Sequence, residues 1–308
     1  MKAMTYEKFG GPDVLKLRDV PEPHIGPDSV VIKVEAAALN PVDYKIREGH
    51  VRRVIDTVLP AVPGWDVAGV VVKPGLDTPE FEVGDEILAY ARKDVVSSGT
   101  LAEFASVPVR TAAKKPAGLS FEHAAALPLA GLTALQTVRR AGVSRGARVL
   151  IHGAAGGVGS FATQLALLEG AATVVGTASE HNHDYLRALG AVPVRYGEHL
   201  VDQARTVMPD GFDVILDFAG GSSLETVPEL LRAGGMVASV ADRRARDEFG
   251  GQYVWVRPDP TQLAELAGLA ASGTLRVEIA GVYRLEDAAA AYRELEGGHV
   301  RGKLIVRP

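Results

Sequence analysis

The sequence predicts an α/β protein with two parts, a β-rich part followed by a parallel, doubly wound sheet with helices on both faces. Up to about residue 120, short apolar runs alternate with Gly- and Pro-containing turns, which is typical of a β-rich domain. Beyond residue 120, strand and helix patterns follow one another in turn, as in a parallel sheet. The length of 308 residues also favours two domains.

The elements follow from the apolar periodicity. In the first part we predict strands at 14–17, 30–37, 67–72, 86–90 and 101–107. Ser120 is expected to cap an alanine-rich helix at the start of the second part. There we predict strands at 149–152, 173–178, 192–195, 213–217 and 236–241, and helices at 158–169, 182–189, 199–207, 223–232 and 261–272. A sixth strand is expected at 254–256, and the tail reads as strands at 275–277 and 304–306 around a helix at 285–296.

The turn between the first strand and helix of the second part carries the main functional pattern. Ala154-x-Gly156-x-x-Gly159 has the spacing of the dinucleotide-binding fingerprint, with Ala in place of the first Gly. A pyrophosphate needs close backbone approach, which a Cβ at position 156 would block, and the helix N-terminus supplies N–H donors. The alternative is an ordinary turn with small residues for packing. The strand before, the helix after and the second strand beyond favour nucleotide binding.

Composition excludes several classes of function. A net charge of −5 without a long basic run argues against nucleic-acid binding. The absence of Cys excludes disulfides, thiolate metal ligands and cysteine catalysis. The N-terminus shows no secretory signal, and the most apolar window, 124–135, contains Pro128 and is too short to span a bilayer. We therefore expect a cytoplasmic protein with neither a nucleic-acid nor a membrane partner.

Several short strings occur in an order that resembles a known family. They are Asn40-Pro41-Val42-Asp43, Pro63-Gly64-Trp65-Asp66-Val67-Ala68-Gly69, Val83-Gly84-Asp85, Gly99-Thr100-Leu101-Ala102-Glu103-Phe104, Leu127-Pro128-Leu129-Ala130-Gly131-Leu132-Thr133-Ala134, the loop at 154–159 and Gly302-Lys303. Together they resemble the medium-chain dehydrogenase/reductase superfamily, and within it the zinc-independent NADPH:quinone oxidoreductase group. The resemblance covers essentially the whole chain. It implies a GroES-like catalytic domain at 1–122, completed by about 258–308, and a Rossmann NADP-binding domain at 123–257, with nicotinamide and substrate in the cleft between them.

Departures from the zinc-dependent branch of this superfamily determine the expected chemistry. Zinc alcohol dehydrogenases hold their catalytic zinc with a Cys, a His and a second Cys, and the matching positions here are Asn40, Trp65 and Leu129. The four-cysteine structural zinc lobe is absent as well. We therefore expect no metal and a hydride acceptor that reacts without a Lewis acid. A quinone or the β-carbon of an α,β-unsaturated carbonyl meets that requirement.

The cofactor is expected to be NADPH. An NAD-preferring fold usually ends its second strand with an acidic residue that holds the ribose 2′-hydroxyl. Here Ala178 follows Thr177 at that point, and the hydroxyl of Ser179 suits a 2′-phosphate. The resemblance adds Tyr196 beside the adenosine ribose. Close relatives often carry a cation in the turn after Ser179, where this chain has Glu180-His181-Asn182-His183. Arg187 is an alternative source of that charge, although its place on a helix favours a side chain that faces solvent.

The resemblance also places residues around the nicotinamide. Asn40-Pro41 and Asp43 should lie beside it, and Thr133 near its carboxamide. The loop after the fourth strand should approach the nicotinamide ribose, and Trp255 should lie at the mouth of the cleft. The complete set of expected cofactor-binding residues is Pro41, Asp43, Thr133, Ala154, Gly156, Gly157, Val158, Thr177, Ser179, Tyr196, Phe218, Ala219, Val254, Trp255 and Lys303.

The candidate catalytic residues are Asn40, Tyr44 and Lys45. Hydride delivery to an enone leaves an enolate, which a phenol or an ammonium group could stabilise and protonate. The string Tyr44-Lys45-Ile46-Arg47-Glu48 also has the pattern of a solvated helix face. Quinone reduction can take its protons from water, so the proton donor stays open.

Alternatives to a quinone or enone reductase stay open too. One is a stand-alone enoyl-thioester reductase. Another is a non-catalytic NADPH-sensing binding protein with the same fold, because a fold does not determine function. The family also leads us to expect a homodimer formed through the edge strand near 253–256.

Overall fold

The computed structural model describes all residues from Met1 to Pro308, and they form two compact units. Unit 1 contains Met1–Leu132 and Pro258–Pro308, and unit 2 contains Thr133–Arg257. Unit 1 extends past the sequence-based limit at 122 because the helix that follows Ser120 packs on strands of unit 1. None of the helices combines the length and the apolar character that a membrane crossing needs.

The structure contains strands and helices in the following order. The strands are β1 (Lys2–Thr5), β2 (Lys16–Asp19), β3 (Ser29–Ala38), β4 (Asp56–Thr57), β5 (Asp66–Lys73), β6 (Glu86–Tyr90), β7 (Val95–Val96), β8 (Phe104–Pro108), β9 (Ala112–Lys114), β10 (Arg148–His152), β11 (Thr173–Ala178), β12 (Val192–Arg195), β13 (Phe212–Asp217), β14 (Leu231–Ser239), β15 (Gln252–Tyr253), β16 (Ile279–Arg284) and β17 (Lys303–Arg307). The α-helices are α1 (Pro41–Arg47), α2 (Phe121–Ala126), α3 (Pro128–Arg140), α4 (Gly157–Leu168), α5 (His183–Ala188), α6 (Leu200–Val207), α7 (Val227–Leu230), α8 (Arg244–Asp247), α9 (Pro260–Ala271) and α10 (Ala288–Glu296). Short 3-10 helices occupy Pro12–Val14, Val109–Thr111, Glu180–Asn182, Gly221–Thr226 and Leu285–Asp287.

Unit 1 is built on a mainly antiparallel sheet with the strand order β16-β17-β3-β5-β6-β9, to which β8 adds beside β3. Strand β3 lies at its centre and is buried along most of its length, as its apolar run predicts. The C-terminal strand β17 pairs with β3, so that Val306 faces Ala37. This pairing brings the end of the chain beside the segment that contains Asn40.

Unit 2 is a doubly wound parallel sheet, as predicted. Its strands are ordered β12-β11-β10-β13-β14-β15 and every neighbouring pair is parallel. In chain order this is 3-2-1-4-5-6, so the direction of winding reverses between β10 and β13. In open sheets of this kind, ligands bind at the carboxyl ends of the strands at that switch point.

Two predicted strands need correction. Residues 275–277 are not a strand, because Leu275 closes helix α9 instead: its N–H donates to Leu269 O at 2.9 Å after a left-handed turn at Gly273. The sixth strand of unit 2 lies at Gln252–Tyr253, two residues before the position predicted for it. The Ser120 cap is confirmed, since its hydroxyl accepts a hydrogen bond from His123 N at 3.2 Å.

The charged residues of helix α1 suggest a face that is entirely solvated, but one of them is buried. The Arg47 side chain is completely buried. Its Nε donates to Gly10 O at 2.9 Å, its Nη2 donates to Glu296 Oε1 at 2.8 Å, and its guanidinium carbon lies 5.2 Å from the centre of the Tyr292 ring. The interaction ties α1 to α10, which follows it by more than two hundred residues in the chain.

Replacement of Arg47 by Ala should lower the free energy of unfolding by about 3 kcal/mol, because a buried, hydrogen-bonded ion pair loses one partner. Urea denaturation of both proteins measures the change. Arg18→Ala is the matched control, since Arg18 pairs with Glu7 on the exposed surface and should change stability by no more than about 1 kcal/mol. Equal losses in the two variants would contradict the burial argument.

Candidate functional site

The glycine-rich turn connects β10 to α4 in unit 2. Gly153 has a φ of +70°, a left-handed conformation that favours glycine. The next residue, Ala154, is buried, and its N–H donates to Thr177 O at 3.1 Å. The tight turn therefore belongs to Gly153. This explains why an alanine is accommodated at the first position of the fingerprint.

The two later glycines of the turn differ in what a side chain at their position would meet. A Cβ on Gly159 would lie 2.2 Å from Gly153 O, so the close packing of helix on strand requires glycine there. A Cβ on Gly156 would meet only Gly153 O, at 3.5 Å. Nothing in the protein therefore requires glycine at position 156. The opening there, with the free N–H groups of Gly157 and Val158 in the first turn of α4, fits the close approach of a phosphate.

Buried polar side chains hold the loops at this edge of the sheet. Thr177 Oγ1 accepts a hydrogen bond from Gly153 N at 3.1 Å, which makes it a support of the turn. Asp217, at the end of β13, accepts from Ala219 N at 3.1 Å, from Gly220 N at 2.9 Å and from the hydroxyls of Ser223 and Ser239. The carboxylate thereby fixes the loop that follows β13.

The structure brings the predicted loop residues together at the switch point. A Cβ built on Gly153 would lie 3.6 Å from the Phe218 carbonyl carbon and 3.7 Å from Ala219 Cβ. Phe218 is half-buried and Ala219 is exposed. Close by, burial lowers the pKa of His152 to about 4, although Asp217 acts in the opposite direction, so this imidazole is neutral at physiological pH.

The expected adenosine end lies at the neighbouring strand termini. Ser179 follows β11, and its hydroxyl lies 3.1 Å from His181 Nδ1 and 3.4 Å from Asn182 Nδ2. Tyr196 follows β12 and is exposed. Because β11 and β12 are parallel neighbours, both side chains lie at the same edge. Of the remaining predictions in unit 2, Thr133 and Val254 are buried and Trp255 is exposed.

In unit 1 the predicted residues form a buried polar cluster around Asp66. Asn40 Nδ2 donates to Asp66 Oδ2 at 2.9 Å, and Leu129 N donates to Asp66 Oδ1 at 2.9 Å. The ammonium of Lys303 lies 3.8 Å from Asp66 Oδ2 and donates to Leu39 O at 2.8 Å and to Asn40 Oδ1. The Asn40 amide is thus engaged at both ends. Sequence reasoning named Asn40 and Lys303 but missed Asp66, their common partner.

Asp43 extends this cluster into helix α1. Its Oδ2 accepts from Asn40 N at 2.8 Å, as one half of a capping box. Burial raises the pKa of Asp43 to about 7; the bond from Asn40 opposes the shift, and the Asp66 carboxylate adds to it. Burial likewise raises the pKa of Asp66 to about 6, against the charge of Lys303, whose own pKa burial lowers. Two carboxylates in this cluster therefore hold protons more tightly than exposed ones.

The donor set of this cluster does not fit a zinc ion. Of the three positions that match zinc ligands, Asn40 is hydrogen-bonded to Asp66 and Lys303, and Trp65 packs edge-on against Tyr90 with ring centres 5.9 Å apart. Leu129 contributes its backbone N–H and has no ligand atom in its side chain. An ammonium group already faces the Asp66 carboxylate. No group of three His, Asp or Glu side chains is arranged to hold a metal ion.

The candidate proton donors differ in their surroundings. Tyr44 is half-buried, and burial followed by the charges of Glu296 and Glu48 raises its pKa, so the phenol keeps its proton at neutral pH. Lys45 is exposed on the outer face of α1, and Pro41 is exposed at its first position. Asn40 is therefore tied to Asp66 and Lys303, and of the two candidate proton donors Tyr44 is the more buried.

Asp43→Asn should change the pH dependence of stability. The folded-state pKa lies above the unfolded value, so this carboxyl makes the fold lose stability as the pH rises from about 4 to about 7. The free energy of unfolding of the variant should therefore rise relative to that of the wild type as the pH increases across that window. Denaturant titration at several pH values measures both. Asp19→Asn is the control: Lys2 lowers the pKa of Asp19, so the contribution of this carboxyl to stability changes only below about pH 4, and the variant should run parallel to the wild type across the window. Parallel pH profiles for wild type and Asp43→Asn would contradict the shift.

Comparison with known proteins agrees with this architecture. Residues 26–117 match the family described as alcohol dehydrogenase GroES-like domain, and residues 189–306 match the one described as zinc-binding dehydrogenase. The whole chain is 37% identical to a 2-methylene-furan-3-one reductase of Solanum lycopersicum, covering 79% of it, and 37% identical to an NADPH-dependent alkenal/one oxidoreductase of Arabidopsis thaliana, covering 80% of it. A quinone oxidoreductase from Coxiella burnetii has the same fold, with a TM-score of 0.90, 35% identity and coverage of 100% of this chain and 99% of the other.

One assignment follows from the mainly antiparallel sheet of unit 1, the 3-2-1-4-5-6 sheet of unit 2 and the full-length similarity to these reductases. The chain belongs to the medium-chain dehydrogenase/reductase superfamily, in the branch that its quinone and alkenal/one oxidoreductase relatives represent.

Proposed function

We propose that this protein is an NADPH-dependent reductase that transfers hydride to a quinone or to the β-carbon of an α,β-unsaturated carbonyl compound, without zinc. The observation that carries the proposal is the turn at Gly156. The packing of the protein does not require glycine there, and its absence of a side chain leaves room for a phosphate. The relatives support the same chemistry, since their names state an NADPH-dependent alkenal/one oxidoreductase and a quinone oxidoreductase.

The residues of unit 2 account for nucleotide binding. The free N–H groups of Gly157 and Val158, together with the positive end of α4, bind the pyrophosphate. Ser179 and Tyr196 bind the adenosine ribose and its phosphate, and Asp217 holds the loop that carries Phe218 and Ala219 in place. When bound, NADPH supplies the hydride.

Tyr44 is the proton donor in our proposal. Addition of hydride to the β-carbon of an enone moves an electron pair onto the carbonyl oxygen, and the α-carbon or that oxygen must then take a proton. The Tyr44 phenol, which forms no hydrogen bond within the chain and keeps its proton at neutral pH, can provide it and then regain one from water. A quinone needs the same hydride and proton to give a hydroquinone. Asn40 and Lys303 support α1 through the Asp66 cluster.

Enones come first among the proposed acceptors, ahead of quinones. Both relatives with 37% identity are named for α,β-unsaturated carbonyl substrates, whereas the quinone oxidoreductase from Coxiella burnetii is 35% identical. The cytoplasmic location stays a prediction. So does the homodimer formed through the edge strand β15, which light scattering would test.

Turnover is tested by following NADPH oxidation with a 2-alkenal, benzoquinone and a crotonyl thioester as acceptors. We expect oxidation with the alkenal or the quinone, faster with NADPH than with NADH, and unchanged after incubation with EDTA, because the donor set of the Asp66 cluster, with the Lys303 ammonium facing the carboxylate, does not fit a zinc ion. Loss of activity in EDTA would contradict a zinc-independent reaction. Turnover with the thioester alone would favour an enoyl-thioester reductase, and NADPH binding without any turnover would favour a sensor.

Gly156→Val should abolish NADPH binding while the protein stays folded, because its side chain enters the space left for the phosphate. Fluorescence titration measures binding, and thermal melting followed by circular dichroism measures folding. Gly11→Val is a matched control: Gly11 begins a short helix with φ −67° and ψ −175°, close to the −74° and 174° of Gly156, and has open space around it. Gly159→Ala should instead lower the melting temperature. Unchanged NADPH affinity in Gly156→Val would refute the assignment of this turn.

A further inference from the structure

An ion pair lies at the strand ends where the adenosine ribose is expected. Arg195 is the last residue of β12 and pairs in register with Ala178, the last residue of β11. Its Nη1 lies 3.2 Å from Glu180 Oε1, and both side chains are mostly exposed. A guanidinium therefore lies beside the turn that begins with Ser179, in a position that sequence reasoning did not identify.

The turn itself is a prepared polar surface. The Ser179 hydroxyl contacts both the His181 ring and the Asn182 amide. Asn182 is 7% exposed, and its Oδ1 has no hydrogen-bond partner. A buried acceptor without a partner is rare in folded proteins and is satisfied by water or by a donor such as a ribose hydroxyl; the phosphate itself, which only accepts hydrogen bonds, does not satisfy it.

A second cation, Arg187, lies on the helix that follows this turn and also has a carboxylate partner. Arg187 Nη1 lies 2.6 Å from Asp184 Oδ1, three residues earlier on helix α5. The Glu180 partner of Arg195 is a residue of the turn itself. Rotation of two exposed side chains is therefore enough to free Arg195, without movement of the backbone.

We infer that Arg195 binds the 2′-phosphate of NADPH and that Glu180 competes with the phosphate for this guanidinium. The inference rests on the proposed function, since it names the residue that distinguishes NADPH from NADH at the same site. A phosphomonoester carries nearly two negative charges at neutral pH and accepts two parallel N–H bonds from an arginine, whereas Glu180 carries one charge and meets this guanidinium through a single contact from Nη1 to Oε1. When the phosphate displaces Glu180 from Arg195, the Glu180 carboxylate repels the phosphate. Glu180 therefore lowers the preference for NADPH over NADH that Arg195 provides.

This competition makes the preference for NADPH adjustable in both directions. Removal of the cation weakens the phosphate contact, and removal of the anion strengthens it. Because the pair is exposed, both effects decrease as the ionic strength rises.

The test compares dissociation constants of NADPH and NADH, from fluorescence titration at low ionic strength, across four variants. Arg195→Gln should weaken NADPH binding by about tenfold and leave NADH within about twofold. Arg195→Lys should recover part of the loss, and Glu180→Gln should tighten NADPH binding by about threefold. Arg187→Gln, with the same change of charge on the neighbouring helix, should alter neither. Circular dichroism confirms that each variant is folded.

The outcomes separate this inference from the proposed function. Wild-type protein that binds NADPH, combined with an Arg195→Gln variant that binds it equally well, would overturn the role of Arg195 and leave the reductase intact. Equal loss of both nucleotides in Arg195→Gln would also overturn it, as would a loss of NADPH affinity in Arg187→Gln alone. Wild-type protein that binds neither nucleotide would refute the proposed function and this inference together.

Discussion

The close packing of helix α4 on strand β10 is the constraint on which the nucleotide-binding unit depends. With no side chain at Gly159, the helix approaches until its backbone lies against Gly153 O, and the left-handed Gly153 turns the chain sharply enough to permit that approach. The N-terminus of α4 then lies at the carboxyl ends of the strands, where Asp217 holds the next loop. One steric condition thus places helix dipole, open turn and loop at a single edge of the sheet.

In unit 1 the corresponding constraint is a cluster of charged and polar side chains buried away from water. The side chains of Asp66, Asn40 and Lys303 satisfy one another away from water, and Asn40 stands at one of the three positions that match zinc ligands in the zinc-dependent branch of the superfamily. Burial of these groups raises the pKa of the carboxyls and lowers that of the ammonium, because the charged forms lose hydration. The cluster anchors the start of α1, which carries Tyr44. Because Lys303 belongs to β17, the cluster is complete only when this C-terminal strand pairs with β3.

Regular elements could be predicted, because burial imposes periodicity on the sequence. Strands β11 and β12 have the limits that were expected: β11 is buried along almost its whole length, and β12 is a short Val-rich run at the edge of the sheet. Prediction was wrong at Leu275, where one buried residue that closes a helix resembles the start of a strand. It was also wrong at Arg47, whose charge suggested solvent although Glu296 and Gly10 compensate it in the interior.

The sequence by itself determined the alternation of elements, the glycine-rich turn and the lack of Cys or His at positions 40, 65 and 129, because these depend on local composition and spacing. Only the tertiary structure decided how polar side chains are paired. Asn40 finds its partners 26 residues away in Asp66 and 263 residues away in Lys303. Arg195 reaches Glu180 because two strands lie side by side. Such pairings depend on distances in space, and separation along the chain carries no information about them.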